Sequence, residues 1–233
     1  MRPVERGIIP ADKNGNPKQY KEYGDARDDL IDQLGAYCSY CEMRIPTPAV
    51  EHIQPKSLSR NLELEWSNFL LACTSCNSVK KDKVINDSNI GDYFWADSDN
   101  TFLAFYYEKN RAPHISISLT GFQQKIAKNT LELTGIDREP LHPKLSEKDR
   151  RWKERNEAWG KAERARTNLI KTSTDAMREQ IIDTAISTGF FSVWMAVFQD
   201  DIDMRQRLIN TFKTSINCFD SNTRPVPRKN GQI

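Results

Sequence analysis

The chain has 233 residues, of which 38% are hydrophobic and 28% are charged, and its formal net charge is +2. This length allows one large or two small domains with a core that needs no disulfide bonds, and the near-neutral charge confines any nucleic-acid surface to a local patch. No apolar run approaches the roughly 20 residues of a membrane span, and the first residues lack a signal-peptide core, so the sequence predicts a cytoplasmic protein without membrane contact.

Residues 1–37 are predicted to form an N-terminal extension with one helix. A polar stretch with glycine and proline comes first, and a helical pattern then runs from Tyr20 to Leu34, with Leu30 and Ile31 on its apolar side. Gly35 is placed to end this helix.

Two Cys-x-x-Cys pairs follow, Cys38/Cys41 and Cys73/Cys76. A two-residue spacer lets both thiolates of a tight turn face one ion, and four such thiolates are a common tetrahedral set for structural Zn²⁺. Cysteines in this spacing also fit a reducing compartment better than a disulfide scaffold. The remaining Cys218 is expected to be a small buried residue rather than a reactive thiol.

The segment that contains the cysteine pairs is predicted to form two strands and a short helix. The strands are expected near Ala49–Ile53 and Asn68–Ala72. The helix is expected to begin with Thr74 or Ser75 as its N-cap. The functional candidates that it carries are Asn77, Lys80 and Lys81.

The run 38–83, about a fifth of the chain, resembles an HNH endonuclease of the ββα-metal type. Besides the cysteine pairs, the resemblance rests on Glu51-His52, on Trp66-Ser67-Asn68 and on Asn77-Ser78-Val79-Lys80 after the second pair. The three positions that give the family its name, His, Asn, and His or Asn, fall on His52, Asn68 and Asn77.

A narrower resemblance points to the HNH subunit of Septu-type anti-phage systems, which also occurs in some retron systems. It rests on Tyr40-Cys41-Glu42, on the Glu-His-x-x-Pro-Lys-Ser string that begins at Glu51, and on the run 68–73. In such systems an ATPase subunit of the SMC/ABC type holds and regulates the nuclease. This chain has no nucleotide-binding motif, so an ATPase would be a separate partner.

Hydrolysis of a phosphodiester needs an activated water, a group that neutralises the phosphate, and stabilisation of the leaving oxygen. His52 is the predicted general base, since an imidazole is largely neutral at cytoplasmic pH. Glu51 and Asn77 offer oxygen ligands for a catalytic Mg²⁺ or Mn²⁺. By the resemblance, Asn68 hydrogen-bonds the loop after His52 and supports the imidazole. Lys80, on the same helical face as Asn77, is predicted to contact phosphate.

Two features qualify this assignment. Adjacent strand residues point to opposite faces, so Glu51 and His52 can share a site only if the strand twists, bulges or ends there. Glu51 also replaces the commoner Asp of the family, and the Asn at position 77 favours an oxygen-liking ion over softer metals.

The remainder of the chain is predicted to be mostly helical. Two strand-like runs, Phe102–Tyr107 and Ile115–Leu119, indicate a β-hairpin that extends the nuclease module, with core 38–83, to residues 38–119. Residues 120–219 are expected to be a helical region for partner or substrate binding, and residues 220–233 a flexible tail. The predicted helices are Gly121–Thr134, Ser146–Lys171, Thr174–Ser187 and Asp203–Asn217. The fold class is therefore α+β, a zinc-stapled ββα-metal module with an extra hairpin and a helical C-terminal region.

Several conspicuous residues receive no functional role. His114 and His142 stand next to prolines and are expected to be structural. Residues 144–171 carry ten Lys or Arg against five Asp or Glu. This helix could follow a nucleic-acid backbone, but a solvated helix with Trp152 and Trp159 facing the core is favoured, because acidic residues are interspersed.

The sequence thus predicts a metal-dependent HNH endonuclease, the effector of an anti-phage complex regulated by an ATPase subunit. Two alternatives stay open. The enzyme could be a ribonuclease that acts on tRNA or other RNA, or the chain could be a non-catalytic zinc module that binds nucleic acid or a protein partner.

Overall fold

The computed structural model describes residues 1–81 and 83–233. The helices along these residues are α1 (Arg27–Leu34), α2 (Thr74–Lys80), α3 (Thr101–Ala104), α4 (Gly121–Thr134), α5 (Arg151–Lys171), α6 (Asp175–Thr188), α7 (Phe191–Val197) and α8 (Ile202–Thr211). The strands are β1 (Ala49–His52), β2 (Phe69–Ala72), β3 (Phe105–Tyr106) and β4 (His114–Ile115). None of the helices described is long and apolar enough to cross a bilayer.

The predicted two-strand and helix unit is present. β1 and β2 pair antiparallel, with Ala49 opposite Ala72 and His52 opposite Phe69. α2 follows directly, but its N-cap is Cys73, whose sulfur accepts a hydrogen bond from the Cys76 N–H. The expectation of Thr74 or Ser75 as the cap is wrong because a thiol can take the capping role, so Thr74 is already helical.

The N-terminal helix is shorter than predicted. A 3₁₀ turn at Tyr23–Ala26 precedes α1, and the Glu22 and Asp25 side chains cap that turn reciprocally. Tyr20 lies outside the helix. Gly35 ends α1 with φ 75°, a backbone angle that favours glycine.

The predicted hairpin is smaller than the sequence pattern suggested. Residues 101–104 form α3 rather than a strand, because the Asn100 side chain caps this turn by accepting a hydrogen bond from the Phe102 N–H. The strand pairing is restricted to β3 and β4, with Phe105 opposite Ile115.

The C-terminal helices match the predictions in part. α4 has the predicted bounds, with a capping box between Thr120 and Gln123. α5 begins at Arg151 rather than Ser146, and α8 ends at Thr211 rather than near Asn217. α7 was not predicted, because its residues are apolar on all sides and show no helical periodicity.

The expectation of a flexible tail at 220–233 is wrong. Thr223 is fully buried, and Arg228 donates a hydrogen bond to the Val4 carbonyl oxygen at 2.8 Å. The Asn100 side chain donates to the carbonyl oxygens of Cys218 and Val226, each at 2.7 Å. A polar segment packs here because its backbone groups are satisfied by buried side chains from elsewhere in the chain.

Two hydrophobic clusters form the interior. One contains the residues of β1, β2, α1 and α4 that face inward, and the other contains those of α5 to α8. Trp159 is one of the two tryptophans that were expected to face the core, and it packs against both clusters. The buried side of α5 is otherwise formed by Arg151, Arg155, Ala158, Ala162 and Leu169.

Candidate active site and metal centre

The four cysteines come together in one buried cluster. Cys38 and Cys41 lie in the turn between α1 and β1, and Cys73 and Cys76 lie at the start of α2. All four sulfur atoms are within 4.8 Å of one another. The structure therefore brings the predicted zinc ligands to one point, although 32 residues separate the two pairs.

The electrostatics of this cluster fit a divalent cation. Burial raises the pKa of the Cys41 and Cys76 thiols, whereas hydrogen bonds from Cys38 and Cys41 lower the pKa of Cys73. Four buried negative charges need a compensating cation, and four buried cysteine sulfurs are the donor set of structural zinc sites. The cluster could hold zinc.

His52 is held in a defined orientation at the end of β1. Its Nε2 lies 2.9 Å from the backbone carbonyl oxygen of Glu63. Because a carbonyl oxygen only accepts hydrogen bonds, Nε2 carries the proton, and Nδ1 of the neutral imidazole keeps its lone pair. The ring lies between Tyr23 and Phe69, with ring centroids 5.0 and 5.2 Å away and both contacts edge-to-face.

Asn68 connects the two ends of the loop that follows His52. Its Oδ1 accepts a hydrogen bond from the Gln54 N–H at 2.8 Å. Its Nδ2 donates to the carbonyl oxygens of Gln54 and Leu62, at 3.0 and 3.1 Å. These contacts have the geometry that the family resemblance implied, since Asn68 binds backbone next to His52 and contributes no side-chain bond to the ring.

Lys80 is not free to contact phosphate. Its Nζ lies 2.8 Å from Glu51 Oε1 and donates to the His52 carbonyl oxygen at 2.6 Å. Lys80 and Glu51 are only 2% and 5% exposed. The prediction for Lys80 is wrong because its ammonium is buried and held by two acceptors of β1, the Glu51 carboxylate and the His52 carbonyl oxygen.

Burial and neighbouring charges set the protonation of the site. Burial raises the pKa of the Glu51 carboxyl, and the ammonium of Lys80 opposes this rise. Burial lowers the pKa of His52, the Glu63 carbonyl oxygen opposes this, and Lys56 and Lys80 lower it further. The net direction keeps His52 neutral at pH 7, as a general base requires.

Glu51, His52 and Asn77 line one open cleft of about 440 Å³. β1 ends at His52, so the adjacent side chains of Glu51 and His52 reach the same space. The rest of the lining is Tyr23, Val50, Pro55, Lys56, Ser57, Lys80 and Lys81. The cleft therefore combines a neutral imidazole, a carboxylate, an amide and three lysines.

A catalytic ion would find only part of its ligand set in the protein. Within residues 1–81 and 83–233, the four cysteines are the only group of three or more His, Cys, Asp or Glu side chains close enough to share an ion. Glu51 and Asn77 nevertheless offer a carboxylate and an amide oxygen to one cleft. Such a partial oxygen set suits Mg²⁺, which usually keeps several waters and binds substrate phosphate.

Three contributors to the cleft were not predicted. The Glu63 carbonyl oxygen fixes the His52 ring, and no side-chain pattern could have signalled a backbone group. Lys56 stands in the quoted Pro-Lys-Ser string but received no role; its Nζ lies 4.3 Å from the centre of the Tyr23 ring. Tyr23 precedes His52 by 29 positions, so only the tertiary fold reveals it.

The other residues that were set aside belong to neither site. His142 Nδ1 accepts a hydrogen bond from the Lys144 N–H, and the His114 ring packs against Tyr106. Cys218 is fully buried outside the cysteine cluster.

Comparisons with known proteins found a family match and a similar curated protein. Residues 38–83 match the family model described as HNH endonuclease. The chain is also similar to the Septu protein PtuB of Bacillus thuringiensis, with 33% identity over 84 residues that cover 32% of each chain. The similarity thus spans about a third of the length of that curated relative.

Proposed function

Because residues 38–83 form an HNH endonuclease domain, we propose that the protein hydrolyses phosphodiester bonds of nucleic acid in a metal-dependent reaction. The observation that carries this proposal is the orientation of His52. Its Nε2 is anchored on the Glu63 carbonyl oxygen, and the ring lines an open cleft beside Glu51 and Asn77.

His52 acts as the general base in this proposal. Its Nδ1 takes a proton from a water molecule as the water oxygen bonds to phosphorus, and the bond to the 3′ oxygen breaks. Phe69 and Tyr23 restrain the ring, while Asn68 ties down the loop that follows. A bound Mg²⁺ or Mn²⁺ would neutralise a phosphate oxygen and the departing oxyanion.

Glu51 and Asn77 would hold that ion. Lys80 forms an ion pair with the Glu51 carboxylate. This ion pair compensates the buried negative charge of Glu51 while the metal ion exchanges. Lys80 is thus assigned a positioning role, and the phosphate contacts are assigned to Lys56 and Lys81, which are exposed at the edge of the cleft.

Zinc is assigned a structural role. The cysteine cluster connects the turn before β1 to the start of α2, so it fixes the helix that carries Asn77 relative to the strand that carries His52. The site is closed by four protein ligands and offers no open position for substrate.

The biological setting proposed is anti-phage defence. It is supported by the similarity to the Septu protein PtuB and by the HNH domain. The finer proposal is that an SMC/ABC-type ATPase subunit binds this nuclease and regulates it, and that the protein acts in the cytoplasm. Nucleic acid is the proposed substrate, with DNA and RNA as separate arms of the test.

The experiment is cleavage of plasmid DNA and total RNA by the purified protein with Mg²⁺ or Mn²⁺, with and without a neighbouring ATPase gene product where one is encoded. The variants are His52→Ala and, as a matched control, His142→Ala, which removes an imidazole outside the cleft. We expect cutting by the parent and by His142→Ala, and none by His52→Ala.

The polymer that is cut identifies the substrate. If His52→Ala cuts as fast as the parent, or if the parent cuts neither polymer under any of these conditions, the catalytic assignment fails. Nucleic-acid binding with intact zinc would then favour the non-catalytic zinc module.

A further inference from the structure

Two arginines of α5 are buried, and one of them contacts the cysteine cluster. Arg151 and Arg155 are 2% and 4% exposed, although arginine is rarely buried without a charged partner. Both belong to the C-terminal region and lie outside the segment that matches the HNH family. Their burial requires compensating negative charge, and Asp149 supplies part of it to Arg151 through an ion pair at 2.6 Å.

Arg151 uses one of its donors on a cysteine sulfur. Its Nη1 lies 3.1 Å from Cys76 Sγ and 2.7 Å from the Thr134 carbonyl oxygen. Nη2 donates to the Gly135 carbonyl oxygen at 2.8 Å, and Nη2 and Nε donate to Asp149 at 2.6 and 2.8 Å. A guanidinium has five N–H donors, and the sulfur is the acceptor for one of them.

Arg155 is less completely satisfied by the protein. Its Nη1 is buried and has no hydrogen-bond partner among the residues that the structure describes. Its guanidinium lies 5.7 Å from the centre of the Phe190 ring. Burial lowers its pKa, and the charges that oppose this are those of Cys41, Tyr107 and Glu42. Of the two arginines, only Arg151 makes a hydrogen bond to a cysteine sulfur among the described residues.

We infer that Arg151 is a positioning residue of the zinc site, which donates an N–H···S hydrogen bond to the Cys76 thiolate. Four thiolates around Zn²⁺ leave two negative charges in a buried place, and the Arg151 guanidinium, which also pairs with Asp149, contacts one of these sulfur atoms. The inference rests on the proposed zinc site and is independent of nuclease activity.

A consequence concerns the organisation of the protein. The zinc site is completed by α5, about 75 residues after the last ligand. The same guanidinium holds the end of α4, through the carbonyl oxygens of Thr134 and Gly135. The ion would therefore couple α2, α4 and α5, and the helical region would stabilise the nuclease domain as well as bind partners.

The competing explanation is that Arg151 only terminates α4 and packs, with no influence on the metal. The rate at which the protein loses zinc distinguishes the positioning role of Arg151 from a role in packing alone. Loss of an outer-shell partner costs about 10- to 100-fold in metal affinity, whereas loss of packing alone lowers stability without changing the metal–sulfur bonds.

The test uses the full chain purified with zinc. Arg151→Met removes the donor and the charge, Arg151→Lys keeps the charge, and Arg150→Met is the matched control, because Arg150 is exposed and pairs with Glu154 at 3.1 Å. We expect Arg151→Met to release zinc to a chromogenic chelator about 10-fold faster or more. Arg151→Lys should show a smaller increase, and Arg150→Met none.

A spectroscopic measurement accompanies the release rate. In cobalt-substituted protein, loss of the hydrogen bond raises the energy of the Cys76 lone pairs, so the sulfur-to-cobalt charge-transfer band should move to longer wavelength in Arg151→Met. Folded Arg151 variants with the parental band and release rate would overturn the inference. A parent that holds no zinc would overturn the zinc site and the inference together.

If the substitutions prevent folding, an experiment on the unsubstituted protein still tests the hydrogen bond between Arg151 and Cys76. In ¹¹³Cd-substituted protein, a ¹H–¹¹³Cd correlation to a guanidinium proton would demonstrate the N–H···S–Cd bond. The Cys76 N–H, 3.3 Å from Cys73 Sγ, supplies a backbone correlation as the internal positive control. Detection of the backbone correlation without the guanidinium one contradicts the inference.

Discussion

The two ends of α2 serve sites of opposite character. The first turn contributes Cys73 and Cys76 to a closed, buried cluster. The later residues Asn77 and Lys80 belong to an open cleft with His52. One short helix thus separates a structural site from a site that can exchange ligands. The cysteine cluster has four protein donors, whereas the cleft provides only part of a metal ligand set.

The largest effect is expected from breaking the closed site. Cys73→Ser removes one of the four thiolates and the N-cap of α2, so bound zinc should be lost and the melting temperature should fall steeply. Metal analysis and thermal denaturation measure both quantities. Cys218→Ala is the control, since this buried cysteine lies outside the cluster, and zinc retention by Cys73→Ser would contradict the account.

Lys80→Met tests the buried ion pair at the open site. Removing one partner of such a pair costs about 3 kcal/mol or more of unfolding free energy. Glu51 already has a raised pKa, and losing Lys80 raises it further, so the deficit should be largest at neutral pH. The part due to Glu51 should disappear by about pH 3, where the carboxyl is protonated in both the folded and the unfolded state, and only the smaller cost of the lost hydrogen bond to the His52 carbonyl oxygen should remain.

Chemical denaturation across this pH range measures the deficit. Lys81→Met removes an exposed lysine of the same cleft and should leave stability nearly unchanged. The double variant with Glu51→Gln should recover most of the loss. A deficit that does not depend on pH would exclude Glu51 as its source.

Asn68→Ala tests the support of the catalytic loop. It removes three hydrogen bonds and leaves the Gln54 N–H without its acceptor, at a cost of about 1–3 kcal/mol in stability. Misplacement of His52 should lower the cleavage rate by about 10²-fold with zinc content unchanged. Asn61→Ala, an exposed amide of the same loop, should behave as the parent does; equal rates for both variants would argue against the supporting role.

The smallest effect is expected at Tyr23. Tyr23→Ala removes one of the two rings that restrain His52 and the ring beneath Lys56. Aromatic contacts of this kind are worth about 0.5–1.5 kcal/mol, so kcat should fall about tenfold or less. Tyr23→Phe should keep the parental rate, because the contact involves the ring. A large loss in Tyr23→Phe would instead indicate a role for the hydroxyl.

The sequence predicted the closed site better than the open one. Spacing alone identified the four cysteines, since metal ligands leave a regular pattern, and the family resemblance supplied His52, Asn68 and Asn77. The role of Lys80 was mistaken, because the direction in which α2 presents a side chain depends on its packing. Tyr23 and the Glu63 carbonyl oxygen left no signal in the sequence. Tyr23 is distant from His52 along the chain, and the Glu63 oxygen belongs to the backbone.

The helical region shows a related limit. α4 has local capping signals and was predicted with its full bounds, whereas α7 is apolar on all sides and was missed. Arg151 and Arg155 occupy core-facing positions of α5 that a hydropathy pattern assigns to solvent. Arg151 is compensated by the Cys76 sulfur, two carbonyl oxygens and Asp149, and Arg155 lies against the Phe190 ring; these partners come together only in the tertiary structure.

The most direct test of two chemically different sites is to treat one sample with a chelator and then measure its zinc content and its cleavage rate. The account predicts that cutting is lost while zinc is retained, and that Mg²⁺ restores cutting without added zinc. Cutting that survives the treatment, or that returns only with zinc, would contradict the separation of the two sites.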